Sequence, residues 1–119
     1  MNAQEKTEKL VEKGLKILED LCVKFLFSGK EKMTYVCFDI PNSKYMAVIK
    51  VFRDYIETKK WRVGVGVMEE GTDKILEVYM EKLNNDIEVI EYLHKSETKT
   101  EILAQIIRLN EKAPDSLDF

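Results

Sequence analysis

Histidine is almost missing from this 119-residue sequence: His94 is the only one. A nucleophile activated by an imidazole needs that imidazole beside it. His94 follows Tyr92-Leu93 and precedes Lys95-Ser96, at the end of an element, and reads as a surface residue. Cysteine is nearly as scarce. Cys22 and Cys37 each sit inside an apolar run rather than in a clustered spacing, whereas a structural zinc site takes four nitrogen or sulfur ligands. The two thiols read as small buried hydrophobes in a reducing compartment. No metal and no cofactor is expected.

Glycine and proline number five and two, which excludes collagen-like and low-complexity chains. Gly64-Val65-Gly66 lacks the third glycine of a dinucleotide-binding turn, Glu69 standing in its place. Ser28-Gly29-Lys30 lacks both the first glycine and the final hydroxyl of a nucleotide-binding P-loop. Long apolar runs are missing too. No stretch approaches the roughly 20 residues of a membrane span, and the N-terminus is charged from Glu5 onward. The expectation is a cytoplasmic protein with neither leader nor membrane contact.

What is present is a globular composition: 45% hydrophobic and 34% charged residues. A chain of this length forms one domain and buries roughly two thirds of the surface it exposes when unfolded. The expectation is a single domain over residues 1–119, with about 114–119 frayed.

The first segment carries helical periodicity. Leu10, Gly14, Leu18, Cys22 and Phe25 recur at helix spacing, joined by Val11, Leu15, Leu21 and Leu26. Asn2 with Glu5 suggests a cap at the start, and Gly29 a stop. Gly14 on the apolar side predicts a close approach to a sheet. The middle switches to β-branched and aromatic runs, Met33–Ile40, Tyr45–Phe52 and Trp61–Met68, the first two joined at the turn Pro41-Asn42-Ser43. Gly64 and Gly66 share a strand face, which predicts a close neighbour there, a helix of the same chain being the first choice. A fourth strand is expected at 74–80, and a short fifth at 86–93, although Leu76, Met80, Leu83, Ile87 and Ile90 also fit a helical stripe. Thr98 with Glu101 reads as a capping box for a last helix that ends at Ala113-Pro114. The fold class is therefore α+β: an N-terminal helix, an antiparallel sheet of about four to five strands and a C-terminal helix, in two layers.

The sheet alternation leaves a surplus. Tyr35, Cys37, Ala47, Ile49, Val51, Val63 and Val65 are assigned to one apolar face. Val36, Phe38, Val48, Lys50, Phe52 and Met68 form a second face that is also largely apolar. One helical layer covers one face, so the other needs a partner. Charge is uneven as well. Residues 24–62 hold 9 basic and 4 acidic groups, and residues 63–119 hold 6 basic and 13 acidic. Lys50, Arg53, Lys59, Lys60 and Arg62 gather around the loop between the second and third strands, interleaved with Phe52, Tyr55 and Trp61. Glu69-Glu70 with Asp73 reads as an ordinary solvated turn.

The functional expectation is a small non-enzymatic binding or regulatory protein that works by protein–protein contact and self-associates as a homodimer. The candidate contact residues are Lys50, Arg53, Lys59, Lys60, Trp61 and Arg62. The first alternative uses the same residues to bind nucleic acid, since cations neutralise phosphates and aromatics stack on bases. An overall pI near 5.3 and the want of a nucleic-acid-binding signature count against it. The second alternative, an enzyme, has no reaction type in the sequence to support it.

Overall fold

The computed structural model describes residues 1–117; Asp118 and Phe119 lie outside the described residues. Helix α1 spans Ala3–Leu21 and runs into a π-helical turn, Cys22–Leu26. Four strands follow: β1 (Met33–Asp39), β2 (Tyr45–Arg53), β3 (Trp61–Glu69) and β4 (Ile75–Leu83). The chain then forms α2 (Asp86–His94) and α3 (Ser96–Leu117). The sheet is an antiparallel meander in the order β1-β2-β3-β4. The helices pack on one side of it, α1 against β1 and β2, α3 against β3 and β4. The result is the two-layer α+β fold expected from the order of the elements, with four strands.

Asn2 starts α1 as its spacing with Glu5 suggests: its side chain accepts the Glu5 N–H at 2.8 Å. Val11, Leu15 and Leu18 are buried along the helix. A Cβ on Gly14 would meet Val36 Cγ2 at 3.3 Å, so helix and sheet do approach closely there. The π-helical turn, closed by Phe27 N–H to Cys22 C=O at 2.8 Å, holds one extra residue. It keeps Cys22 and Leu26 in the core and turns Phe25 outward to 38% exposure, where helical spacing had placed Phe25 on the apolar stripe.

Three further expectations are corrected. Residues 86–93 form α2, not a fifth strand. Asn85 is its N-cap, accepting from Glu88 N–H at 2.9 Å, and the Glu88 carboxylate reaches back to Asn84 N–H at 2.7 Å. The polar run Asn84-Asn85-Asp86, made of poor helix formers in mid-helix, is what starts this helix. Hydrogen bonds from the Asn84 backbone N–H and side-chain amide hold the Glu88 carboxyl below its usual range. Second, α3 begins at Ser96, before Thr98, whose hydroxyl donates to the Tyr92 carbonyl and stitches the two helices together. Third, α3 does not end at Ala113-Pro114. Pro114 lacks the N–H that would bond Asn110, yet the helix runs on to Leu117. Leu117 is 6% exposed and its carbonyl accepts from Lys74 Nζ at 3.0 Å. Burial of one leucine at the last turn holds the segment expected to fray. Leu117→Ala is expected to cost about 2 kcal/mol in urea unfolding; a frayed tail would give no change.

Cys22 is fully buried, its Sγ 3.5 Å from Thr34 Oγ1. Burial, which disfavours the thiolate, pushes it up from 9.0 to about 11. The folded state thus keeps a proton that the unfolded chain loses first. Its contribution to stability is complete below pH 9 and is lost as pH rises from 9 through about 11, by at most about 3 kcal/mol. Urea unfolding at pH 8 and pH 10 should show this decline, and Cys22→Ala should flatten it.

Candidate functional site: the open face of the sheet

Strand register decides which side chains share a face. Thr34, Val36 and Phe38 of β1 pair with Val51, Ile49 and Ala47 of β2, which pair with Val63, Val65 and Val67 of β3. That set lies under the helices: Ile49, Val51, Val63 and Val67 are wholly inaccessible and Val65 nearly so. Tyr35 and Cys37 therefore do not share a face with Ile49, and the sequence-based assignment of β1 is wrong by one residue. Both alternating sets of β1 are apolar, so its periodicity does not choose between them.

The other face carries no helix. Across the four strands it consists of the rows Met33–Phe52–Arg62–Lys82, Tyr35–Lys50–Gly64–Tyr79, Cys37–Val48–Gly66–Glu77 and Asp39–Met46–Met68–Ile75. A bulge at Met80 shifts β4 by one residue between the first two rows. Tyr35 is 54% exposed, Tyr79 48%, Met33 44% and Ile75 40%. Beside Tyr35 lies a shallow hollow of about 380 Å³, with Cys37 and Val48 among its lining residues and Lys50, Met46, Met68 and Ile75 around them.

Gly64 and Gly66 open onto this face, so no helix of the chain explains them. Side chains of the flanking strands lean over them instead. A Cβ on Gly66 would meet Ile75 Cδ1 at 2.9 Å, and one on Gly64 would meet Lys50 Cε at 3.1 Å and Tyr79 Cδ1 at 3.2 Å. The glycines make room for a polar cluster. Lys50 Nζ pairs with Glu77 at 2.9 Å and sits over the Phe52 and Tyr79 rings at 5.5 and 5.6 Å. Tyr79 donates its hydroxyl to Glu77 at 2.9 Å, and that hydrogen bond holds its phenol above the ordinary range. Arg62 stacks on Tyr79 at 5.0 Å and pairs with Asp54 at 3.8 Å. Lys50 and Arg62 are thus neutralised within the chain.

The six residues singled out from sequence do not form one patch. Lys50 and Arg62 lie on the open face. Trp61 takes the opposite parity, packed edge-on against Phe27 at 5.5 Å, and Arg53 covers the Trp61 and Tyr55 rings. Lys59 and Lys60 belong to the β2–β3 loop, which Asp54 organises. Its side chain accepts from Glu57 N–H, its carbonyl from Lys59 N–H, and its own N–H donates to Lys60 C=O. Lys59 adopts φ +59° to close that loop. The residues that sequence reasoning missed are Glu77, Tyr79 and the outward set of β1. One signal was available: Lys50, alone in an apolar run, marks which parity of β2 faces water.

His94 lies elsewhere, bonded to Glu19 at 2.8 Å between α2 and α1. Among the described residues no three metal-ligating side chains come together, and no helix is long and apolar enough to cross a membrane. No family model, curated protein or solved structure matches the chain.

The Lys50–Glu77 pair is about four-fifths shielded from water on each side, which should make it worth more than a fully exposed pair. A double-mutant cycle with Lys50→Met and Glu77→Gln is expected to give a coupling of about 1 kcal/mol. A coupling near zero would mean that the two side chains do not hold each other.

Proposed function

We propose that this protein is a non-catalytic contact module whose working surface is the open face of its sheet. The observation that supports this is the uncovered face itself, where a four-stranded sheet leaves Met33, Tyr35 and Ile75 in water around a shallow hollow and Tyr79 exposed on the same face. Monomeric proteins rarely leave contiguous apolar patches larger than a few hundred Å² exposed. The chemistry of the face favours a protein over a polyanion. Lys50 and Arg62 already have the carboxylates of Glu77 and Asp54 as partners, so a phosphate backbone would have to displace them. The nucleic-acid reading keeps Arg53, Lys59 and Lys60 around the exposed loop and Lys82 on the face, fewer cations than salt-dependent binding normally recruits.

Val48, at the centre of the face, gives the test. Protein retention on immobilised wild type, Val48→Arg and Lys9→Glu is compared, untagged copies of the chain being included among the offered proteins. Lys9 is exposed on α1, in the opposite layer. Retention should fall at least about tenfold with Val48→Arg and stay unchanged with Lys9→Glu. Equal retention by all three would contradict the reading.

A further inference from the structure

We infer that the occupant of the open face is a second copy of this chain, docked face to face about a two-fold axis that runs across the strands. The inference rests on the contact reading above and names its partner.

Charge supplies the first argument. Arg62 and Lys50 are paired within the chain, with Asp54 and Glu77; of the other charges along the strand direction, Lys82 occupies the row at one end of the face and Asp39 the row at the other. An axis across the strands lays the basic end of one copy over the acidic end of its partner. An axis along the strands lays basic on basic and acidic on acidic. Opposed charges favour the first arrangement and penalise the second. Because Lys50 and Arg62 are already paired within the chain, the face is close to neutral and two copies meet without strong repulsion.

Shape supplies the second. Tyr35 projects from the face one alternate position along β1 from Cys37, at the edge of the hollow. The same axis, placed at the middle of the face, carries Tyr35 over the partner's Cys37, which lines the partner's hollow, and the reverse. A knob and a hole set side by side on one surface are self-complementary under a two-fold rotation, which is the condition for an isologous dimer.

Size supplies the third. Strands of seven to nine residues, about 3.3 Å per residue and about 4.8 Å apart, give a face of roughly 500 Å² in projection. Side-chain relief brings that towards the ~800 Å² per partner of a standard interface. The chain is a slab, 36 × 32 × 20 Å. Two slabs stacked on their sheets form a four-layer body with helices on both outer surfaces.

Cys37 makes the arrangement testable without altering the interface, since it is exposed while Cys22 is buried. With sheets about 10 Å apart, an axis across the strands puts the two Cys37 sulfurs roughly 8 Å from each other, and an axis along the strands roughly 15 Å. Light scattering should give about twice the chain mass of 13.9 kDa, and a bismaleimide of the shorter span should join the wild type into a covalent dimer. Cys37→Ser should stay dimeric without joining. Val48→Arg should be monomeric, and Tyr35→Asp, at an exposed position that the fold tolerates, should weaken the dimer if the arginine variant fails to fold. A dimer whose Cys37 takes a monofunctional maleimide but is not joined by the bismaleimide overturns the orientation. A wild type of single-chain mass at every concentration overturns the second copy. In that case, retention of another protein that depends on Val48 would leave the contact reading standing.

Discussion

Burial of one parity of the sheet under the helices is the interaction on which the rest depends. Ile49, Val51, Val63, Val65 and Val67 fill the space beneath α1 and α3 with almost no accessible surface. Each such side chain contributes about 1.5–3 kcal/mol on leaving water. Register then leaves no freedom: in an antiparallel meander, fixing which side of β2 lies inward fixes every other strand. The opposite parity has no such cover. Its composition is a consequence, with Met, Tyr and Val side chains around a Lys–Glu–Tyr–Arg cluster that carries its own countercharges.

Glycine in β3 links the two faces. Val63, Val65 and Val67 bury one side of the strand, while Gly64 and Gly66 empty the other. The space is taken by Lys50, Tyr79, Ile75 and Glu77. A larger residue at either position would push the polar cluster outward and separate Lys50 from Glu77. The strand thus trades backbone entropy and side-chain packing for a face on which charged groups lie flat.

Much of the architecture was legible because its signals are local. Asn2 with Glu5, the turn at Pro41-Asn42-Ser43 and the alternation in Trp61–Met68 each act within a few residues. The misreadings arose where two patterns competed. Asn85 and Glu88 cap a helix as Asn2 and Glu5 do, yet Asn84-Asn85-Asp86, poor helix formers, read as a break in the helical stripe. Met33, Tyr35 and Cys37 are as apolar as Thr34, Val36 and Phe38, so the parity of β1 is set by its pairing with β2. That pairing depends on the length of the 40–44 turn, not on hydrophobicity. The π-helical turn has no simple sequence mark, and Phe25 moved outward because of it. Leu117 lies beyond a proline that normally ends a helix. The basic cluster was visible as composition, but strand parity divided it: Arg62 faces one side of the sheet and Trp61 the other.

The central claim is that the helices cover one face and leave the other open, and thiol labelling kinetics test it most directly. In dilute folded protein Cys37 should react at nearly the rate of a free thiol, and Cys22 should react only as fast as the chain unfolds. Raising the protein concentration should slow Cys37 and leave Cys22 unchanged, as expected if a second copy covers the open face. Labelling of Cys37 that stays slow at every dilution and in the monomeric Val48→Arg variant would place β1's outward set beneath the helices and contradict the account.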